Sequence, residues 1–156
     1  MSARPLAEEI ARVMAQYPNA RSATLPALRL AQERHGWLSP DALREAADAL
    51  GVTPAYCESV ASFYDMFHLR PIGRHLIEVC TNISCALVGA QRVLEAFEAE
   101  LGIRAGETTV DGGFTLRAVE CAGGCGWGTV VVVDHRYREP VKPDDVPAIV
   151  EEIRGA

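Results

Sequence analysis

The sequence lacks the features that would take a chain to a membrane, a secretory route or a nucleic acid. Nowhere in its 156 residues do 18 apolar residues run together, so no transmembrane helix and no direct membrane insertion are expected. The N-terminus, Met1-Ser2-Ala3-Arg4-Pro5, reaches Glu8-Glu9 without an apolar stretch, so no secretory signal is expected. There is no long Lys/Arg run, and 15 basic against 21 acidic residues leave a net charge of −6. Such a chain is a poor match for phosphate backbones, and no nucleic-acid partner is expected. Neither G-x-G-x-x-G nor G-x-x-x-x-G-K-[ST] occurs, so no nucleotide site of the chain's own is evident. C-x-x-C is missing too, which counts against a thiol–disulfide enzyme. Five cysteines are also too few for a disulfide-stapled secreted scaffold. What is left is the expectation of a soluble, intracellular protein of ordinary composition, 49% hydrophobic and 23% charged.

The hydrophobic period changes near residue 70. Up to there it is helical: Leu6, Ile10, Val13 and Tyr17 make one stripe, and Leu25, Leu28 and Ala31 begin a second that ends at Gly36-Trp37. Ser39-Pro40-Asp41 offers a capping residue, a first-turn proline and an early acid, followed by Leu43, Ala46, Ala47, Leu50 and a stop at Gly51. Thr53-Pro54 repeats the start signal ahead of a stripe of Tyr56, Val60, Phe63 and Phe67. Beyond Pro71-Ile72-Gly73, residues 75–80 read as a strand, and Leu87, Ala90, Leu94, Phe97 and Leu101 read as one unbroken helix ended by Gly102. Asp111-Gly112-Gly113 is a turn into an alternating strand over 114–120, residues 129–134 read as a buried strand, and Val146, Ile149, Val150 and Ile153 mark a last helix. The expectation is an α+β protein: a helical bundle over 1–70, then a β-α-β-β-α domain over 71–156.

The cysteines are unevenly placed. Cys57 stands alone in a helical stretch and reads as a packed core thiol. Cys80/Cys85 and Cys121/Cys125 form C-x4-C and C-x3-C pairs with 35 residues between them. Cys80 closes one expected strand and Cys121 follows another. If those strands are neighbours, both loops leave the sheet at the same end and four sulfurs converge. Gly123, Gly124 and Gly126 in and beside the second loop allow backbone N–H groups to approach sulfur closely. Spacing alone leaves three readings open: inert buried thiols, a structural zinc site, and an iron–sulfur cluster. Zinc ribbons favour C-x2-C knuckles, which neither pair supplies.

The residues also carry a resemblance. Glu78-Val79-Cys80-Thr81-Asn82-Ile83-Ser84-Cys85, then Gly106 to Leu116, then Val119-Glu120-Cys121-Ala122-Gly123-Gly124-Cys125, resemble the thioredoxin-like [2Fe–2S] ferredoxin family. More narrowly they are similar to the 24 kDa subunits of NADH–quinone oxidoreductases. Leu30-Ala31-Gln32-Glu33, Gly36-Trp37-Leu38-Ser39 and Val60-Ala61-Ser62-Phe63-Tyr64 are similar to the N-terminal part of those subunits. The resemblance implies a helical bundle followed by a thioredoxin-like domain, with one [2Fe–2S] cluster held by Cys80, Cys85, Cys121 and Cys125. It implies a one-electron carrier with no turnover alone. FMN and NADH would belong to a flavin-bearing, NADH-binding partner subunit. Equivalent subunits of NAD-dependent formate dehydrogenases and bidirectional hydrogenases are alternative settings, and a zinc-stabilised adaptor is the rival from another class. Such a subunit would be cytoplasmic, or peripheral to the inner face of the cell membrane through its complex. All-cysteine ligation points to the low part of a range of roughly −700 to +450 mV. The chain departs from the family at Gly128-Thr129-Val130, where Ala-Pro-Val is common.

Other residues read more plainly. His35, His68, His75 and His135 share no ligand spacing. Phe63, Tyr64, Met66 and Phe67 read as packing between bundle and sheet rather than as a partner surface, and Glu95, Glu98 and Glu100 as a solvated helix face. Trp127, beside the last cysteine, either shields a cluster from water or faces the partner.

Overall fold

A computed structural model describes residues 5–155. The chain divides into two compact units, one ending at Pro71 and the other beginning at Ile72.

The described residues of the first unit form four α-helices, α1 (Leu6–Met14), α2 (Thr24–His35), α3 (Pro40–Leu50) and α4 (Pro54–Ala61), with a 3₁₀ turn over Ala20–Ala23. Its starts and stops follow local chemistry. Ser39 Oγ accepts the Ala42 N–H at 3.1 Å and Pro40 opens α3, while Gly51, at φ 70°, closes it. Thr53 does the same for α4 through Tyr56 N–H. Leu6, Ile10, Leu28, Leu43, Leu50 and Cys57 meet in the core, so Cys57 is a packing thiol, and burial raises its pKa. Two stripes end sooner than the periodicity predicts. Tyr17 lies beyond α1 and is exposed, and α4 stops at Ala61, which leaves Phe63 80% exposed. Gln32 accounts for the second difference. Its amide donates to the Met66 carbonyl (2.9 Å) and accepts from the His68 N–H (2.7 Å), which turns the chain back and seats Phe67 in the bundle core.

The second unit is a sheet of β1 (His75–Cys80), β2 (Phe114–Val119), β3 (Val131–Val133) and β4 (Arg136–Arg138), in the order β2-β1-β3-β4. β1 and β2 are parallel, and the other two pairings are antiparallel. Three helices accompany it: α5 (Ile83–Leu87), α6 (Ala90–Leu101) and α7 (Val146–Arg154). α6 and α7 bury Val93, Phe97, Val146 and Val150 against Ile77, Val79, Leu116, Val131 and Val133. The opposite side of β3 carries Val130 and Val132, which pack with Cys80, Cys85 and Ala90. β3 is thus covered on both faces, which is why its sequence is an unbroken valine run rather than an alternation.

Three features of this unit differ from expectation. The helix expected through Leu87 is broken: α5 ends there, Gly89 adopts φ 103°, and α6 starts afresh, leaving Leu87 82% exposed. A fourth strand, β4, follows a hairpin in which Asp134 and His135 hold φ 47° and 66°. Asp134 supports that turn by accepting the Leu76 N–H at 2.9 Å and bonding His75 Nδ1 at 2.8 Å. Glu98 is more than a solvated face residue, since its carboxylate accepts the Ala105 N–H (3.0 Å) and the Arg104 guanidinium (2.9 Å) just past the helix end. The free edge of β2 is lined by residues 106–109, with Gly106 N–H bonded to the Leu116 carbonyl (2.7 Å) and Thr109 N–H to that of Phe114 (2.8 Å).

The two units support separate stability tests. Phe97→Ala empties a fully buried site and is expected to lower the unfolding free energy by about 3–5 kcal/mol. Ser39→Ala removes one cap and is expected to cost about 1 kcal/mol. Urea titrations followed by circular dichroism measure both.

Candidate metal centre

The parallel pairing of β1 with β2 builds the site. Its register sets Cys80 opposite Val119, so the loops after both strands leave the sheet at the same end. Thr81 continues the ladder, its N–H bonded to the Val119 carbonyl at 2.8 Å. From there α5 carries Cys85, and on the neighbouring side a 3₁₀ turn over Cys125–Trp127 carries Cys125. α5 and that turn touch.

The structure brings together all four cysteines expected to act as a group. Cys80 faces both Cys85 and Cys121, and the Cys121 and Cys125 sulfurs lie 3.7 Å apart. Cys85 feels the charges of Cys80 and Cys125. Cys57 belongs to the other unit's core. No histidine joins them: His35 bonds Glu45 at an exposed position, and the half-buried His75 bonds Asp134. Among the described residues no group of three or more His, Cys, Asp or Glu is disposed to hold a single metal ion.

The four thiols differ in setting. Cys80 and Cys85 are buried with Ala90, Val130 and Val132, whereas Cys121 and Cys125 are exposed. Burial pushes the Cys80 thiol up, but N–H groups of Ala122 and Asn82 and the thiols of Cys85 and Cys121 outweigh it and bring its pKa below the ordinary value. Burial also raises Cys85, and there the Val130 amide does not compensate for the neighbouring Cys80. Cys125 is raised by its hydrogen bond with Cys121 and by the charge that Cys121 would carry. Backbone approaches closely around these sulfurs. A Cβ on Gly128 would lie 2.9 Å from Val88 Cγ2 and 3.5 Å from Cys85 Sγ, and one on Gly124 would lie 2.9 Å from Val130 Cγ2. Thr129, standing where the resemblance expects proline, is buried, its peptide bond to Gly128 is cis, and its carbonyl accepts the Val141 N–H at 2.9 Å.

One residue escaped sequence reasoning. Tyr137 on β4 donates its phenol O–H to the Ala122 carbonyl at 2.5 Å, inside the Cys121–Cys125 loop. The only signal was its place across the hairpin from Val132, and no local rule announces that hairpin.

Comparison with known proteins gives a consistent picture. The family model described as thioredoxin-like [2Fe-2S] ferredoxin matches residues 10–154. An NADH-quinone oxidoreductase subunit of Rhizobium meliloti (strain 1021) is 44% identical over 149 residues, covering 96% of this chain and 89% of the relative. An NADH-quinone oxidoreductase subunit of Escherichia coli (strain K12) is 35% identical over 144 residues, covering 92% and 87%. Among solved structures, a chain of the NAD+-reducing [NiFe]-hydrogenase in its air-oxidized state matches with a TM-score of 0.75 at 23% identity, a likeness of fold. That match covers 85% of this chain and only 23% of the hydrogenase chain.

The thiol electrostatics predict a pH response. In the metal-free chain, alkylation of Cys125 by iodoacetamide is expected to rise with pH with a midpoint above that of an ordinary thiol, because its thiolate forms beside Cys121. Cys121→Ser is expected to move the midpoint back down. Pulse labelling across a pH series, read by mass spectrometry, measures it.

Proposed function

Because the chain belongs to the thioredoxin-like [2Fe–2S] ferredoxin family, we propose that Cys80, Cys85, Cys121 and Cys125 hold its one [2Fe–2S] cluster, and that the chain is the electron-transfer subunit of an NADH–quinone oxidoreductase. The observation that carries this reading is the parallel β1–β2 register, which delivers two cysteine loops to one end of the sheet.

The donor set suits the group. Four soft thiolates match iron–sulfide chemistry. A [2Fe–2S] cluster bound there takes up and gives back one electron at a time. The residues around it do the rest. Val130, Val132 and Ala90 keep water from the inner pair of thiols, Cys80 and Cys85. Ala122, Asn82 and Val130 aim backbone N–H groups at those two sulfurs and offset the negative charge that gathers on them. Cys121 and Cys125 stay at the surface, where an electron has a short path to another protein.

The surface beside those thiols favours a protein partner. Leu87, Ile83 (71% exposed), Val88 and Trp127 (66% exposed) lie on α5, the residue after it and the Cys125–Trp127 turn. Large apolar side chains grouped around a redox site are costly to leave in water and mark an interface. Trp127 therefore faces outward, toward the partner. The occupant is the flavin-bearing, NADH-oxidising subunit, since the relatives are subunits of an NADH oxidoreductase and this chain shows no nucleotide motif of its own. No described helix is long and apolar enough to cross a membrane. The chain reaches the inner face of the cell membrane through its complex.

Two experiments test this. Protein purified without oxygen is expected to show visible absorption that bleaches on reduction and an S = ½ signal after dithionite. Serine at position 80, 85, 121 or 125 is expected to lower or reshape that signal, and Cys57→Ser to leave it alone. A colourless chain with stoichiometric zinc would overturn the reading in favour of an adaptor. Leu87→Asp is expected to weaken association with the flavin subunit by about tenfold or more, with the cluster signal intact, as measured by titration calorimetry.

A further inference from the structure

The Cys121–Cys125 loop is exposed, rich in glycine and free of regular structure apart from its closing 3₁₀ turn. Left to itself, such a segment samples many conformations. One side chain from outside the loop ties it down: the Tyr137 O–H donates to the Ala122 carbonyl at 2.5 Å, and the Tyr137 phenol oxygen lies 3.8 Å from where a Gly123 side chain would begin. Gly123 itself holds φ 85°, so this stretch bends through a left-handed residue beneath the phenol.

Ala122 directly follows Cys121, so the phenol that fixes the Ala122 carbonyl also fixes the backbone that carries that thiol. Tyr137 in turn stands on a fixed element. β4 is paired with β3, Tyr137 opposite Val132, and the adjacent Arg138 grips Glu152 of α7 with two hydrogen bonds, at 3.1 and 2.6 Å.

We propose that Tyr137 is a positioning residue for the iron–sulfur centre: its phenol holds the Ala122 carbonyl and so keeps the Cys121–Cys125 ligand loop and its backbone N–H groups in place, and this raises the affinity of the cluster for an electron. The inference rests on the cluster reading of the four cysteines. The physical reason is charge. Reduction adds an electron to an already anionic group, and an N–H dipole on a ligating sulfur favours the more negative state. Releasing Ala122 loosens the ligand loop whose N–H groups supply such dipoles and makes reduction harder.

The test compares the full chain with Tyr137→Phe, which keeps the ring and removes only the hydroxyl. EPR-monitored redox titration of anaerobically purified protein is expected to show a two- to tenfold lower electron affinity. For a one-electron couple, tenfold corresponds to about 59 mV toward negative potential. The Fe–S stretching bands in resonance Raman spectra are expected to shift less on transfer to D₂O than in the parent chain. Loss of the cluster from Tyr137→Phe with an unchanged circular dichroism spectrum also supports the proposal, since the anchor is then needed to keep the ligand loop in place. Arg138→Gln serves as the control for a purely structural role. It loosens the same strand, and is expected to lower the thermal midpoint while moving the potential less than Tyr137→Phe does. Equal potentials and equal isotope shifts in parent and Tyr137→Phe at full iron loading overturn the proposal and leave the cluster reading standing. So does a shift in Arg138→Gln as large as that in Tyr137→Phe. A parent chain without iron overturns the cluster reading itself, and the inference with it.

Discussion

The candidate site depends on six rungs of parallel β-ladder. β1 and β2 run side by side from His75–Phe114 to Cys80–Val119. A parallel pair needs a long crossover, and here α5, α6 and the turn at Asp111–Gly113 supply it. The crossover has a chemical result as well as a topological one. Two loops that are 35 residues apart in sequence begin at the same end of the sheet. A one-residue slip between the strands would turn every β2 side chain to the opposite face and draw Leu116 out of the core that α6 and α7 complete. The ladder is therefore held in register by packing, and the thiols inherit the precision of that packing.

The same arrangement shares out solvent unequally. The buried thiols are tied to the sheet: Cys80 is the last residue of β1, and Cys85 rests under Val130 and the Gly128 backbone. The exposed ones belong to a loop whose order comes from Tyr137 and the 3₁₀ turn. One half of the centre is positioned by core packing and the other by a few polar contacts. Their local stabilities differ accordingly, with the loop at the low end where contacts with another protein can reshape it.

Much of this was legible in the sequence, and for identifiable reasons. The capped starts at Ser39 and Thr53, the glycine stops at Gly36, Gly51 and Gly102, and β1 over His75–Cys80 followed from local rules that the tertiary structure did not override. The four-cysteine grouping was legible because strand ends and loop lengths already placed the thiols. The misses share a cause. Leu87 continues a hydrophobic stripe, but Gly89 breaks the helix, and periodicity alone cannot weigh a single positive-φ residue. Phe63 also sits on a stripe, but Gln32, some thirty residues away, decides where that segment turns. β4 escaped because its hairpin uses Asp134-His135, not Asn-Gly, and meets the conformational demand with side-chain bonds from Asp134 to β1. Non-local hydrogen bonds of this kind leave no pattern in a linear reading.

The sheet has two ends across its width, and neither offers an open row of backbone donors. Along β2 the segment 106–109 has already taken up the outward N–H and C=O groups of Phe114 and Leu116. Along β4 the strand is only three residues long, and an arginine flanks its central tyrosine on either side. An extended segment from another molecule would find too few rungs to add to and two cations in its way. Recognition of this chain is consequently a matter of side chains and shape, not of strand addition. A high local concentration, such as prevails during assembly of a many-subunit particle, does not carry with it a standing risk of sheet-to-sheet polymerisation.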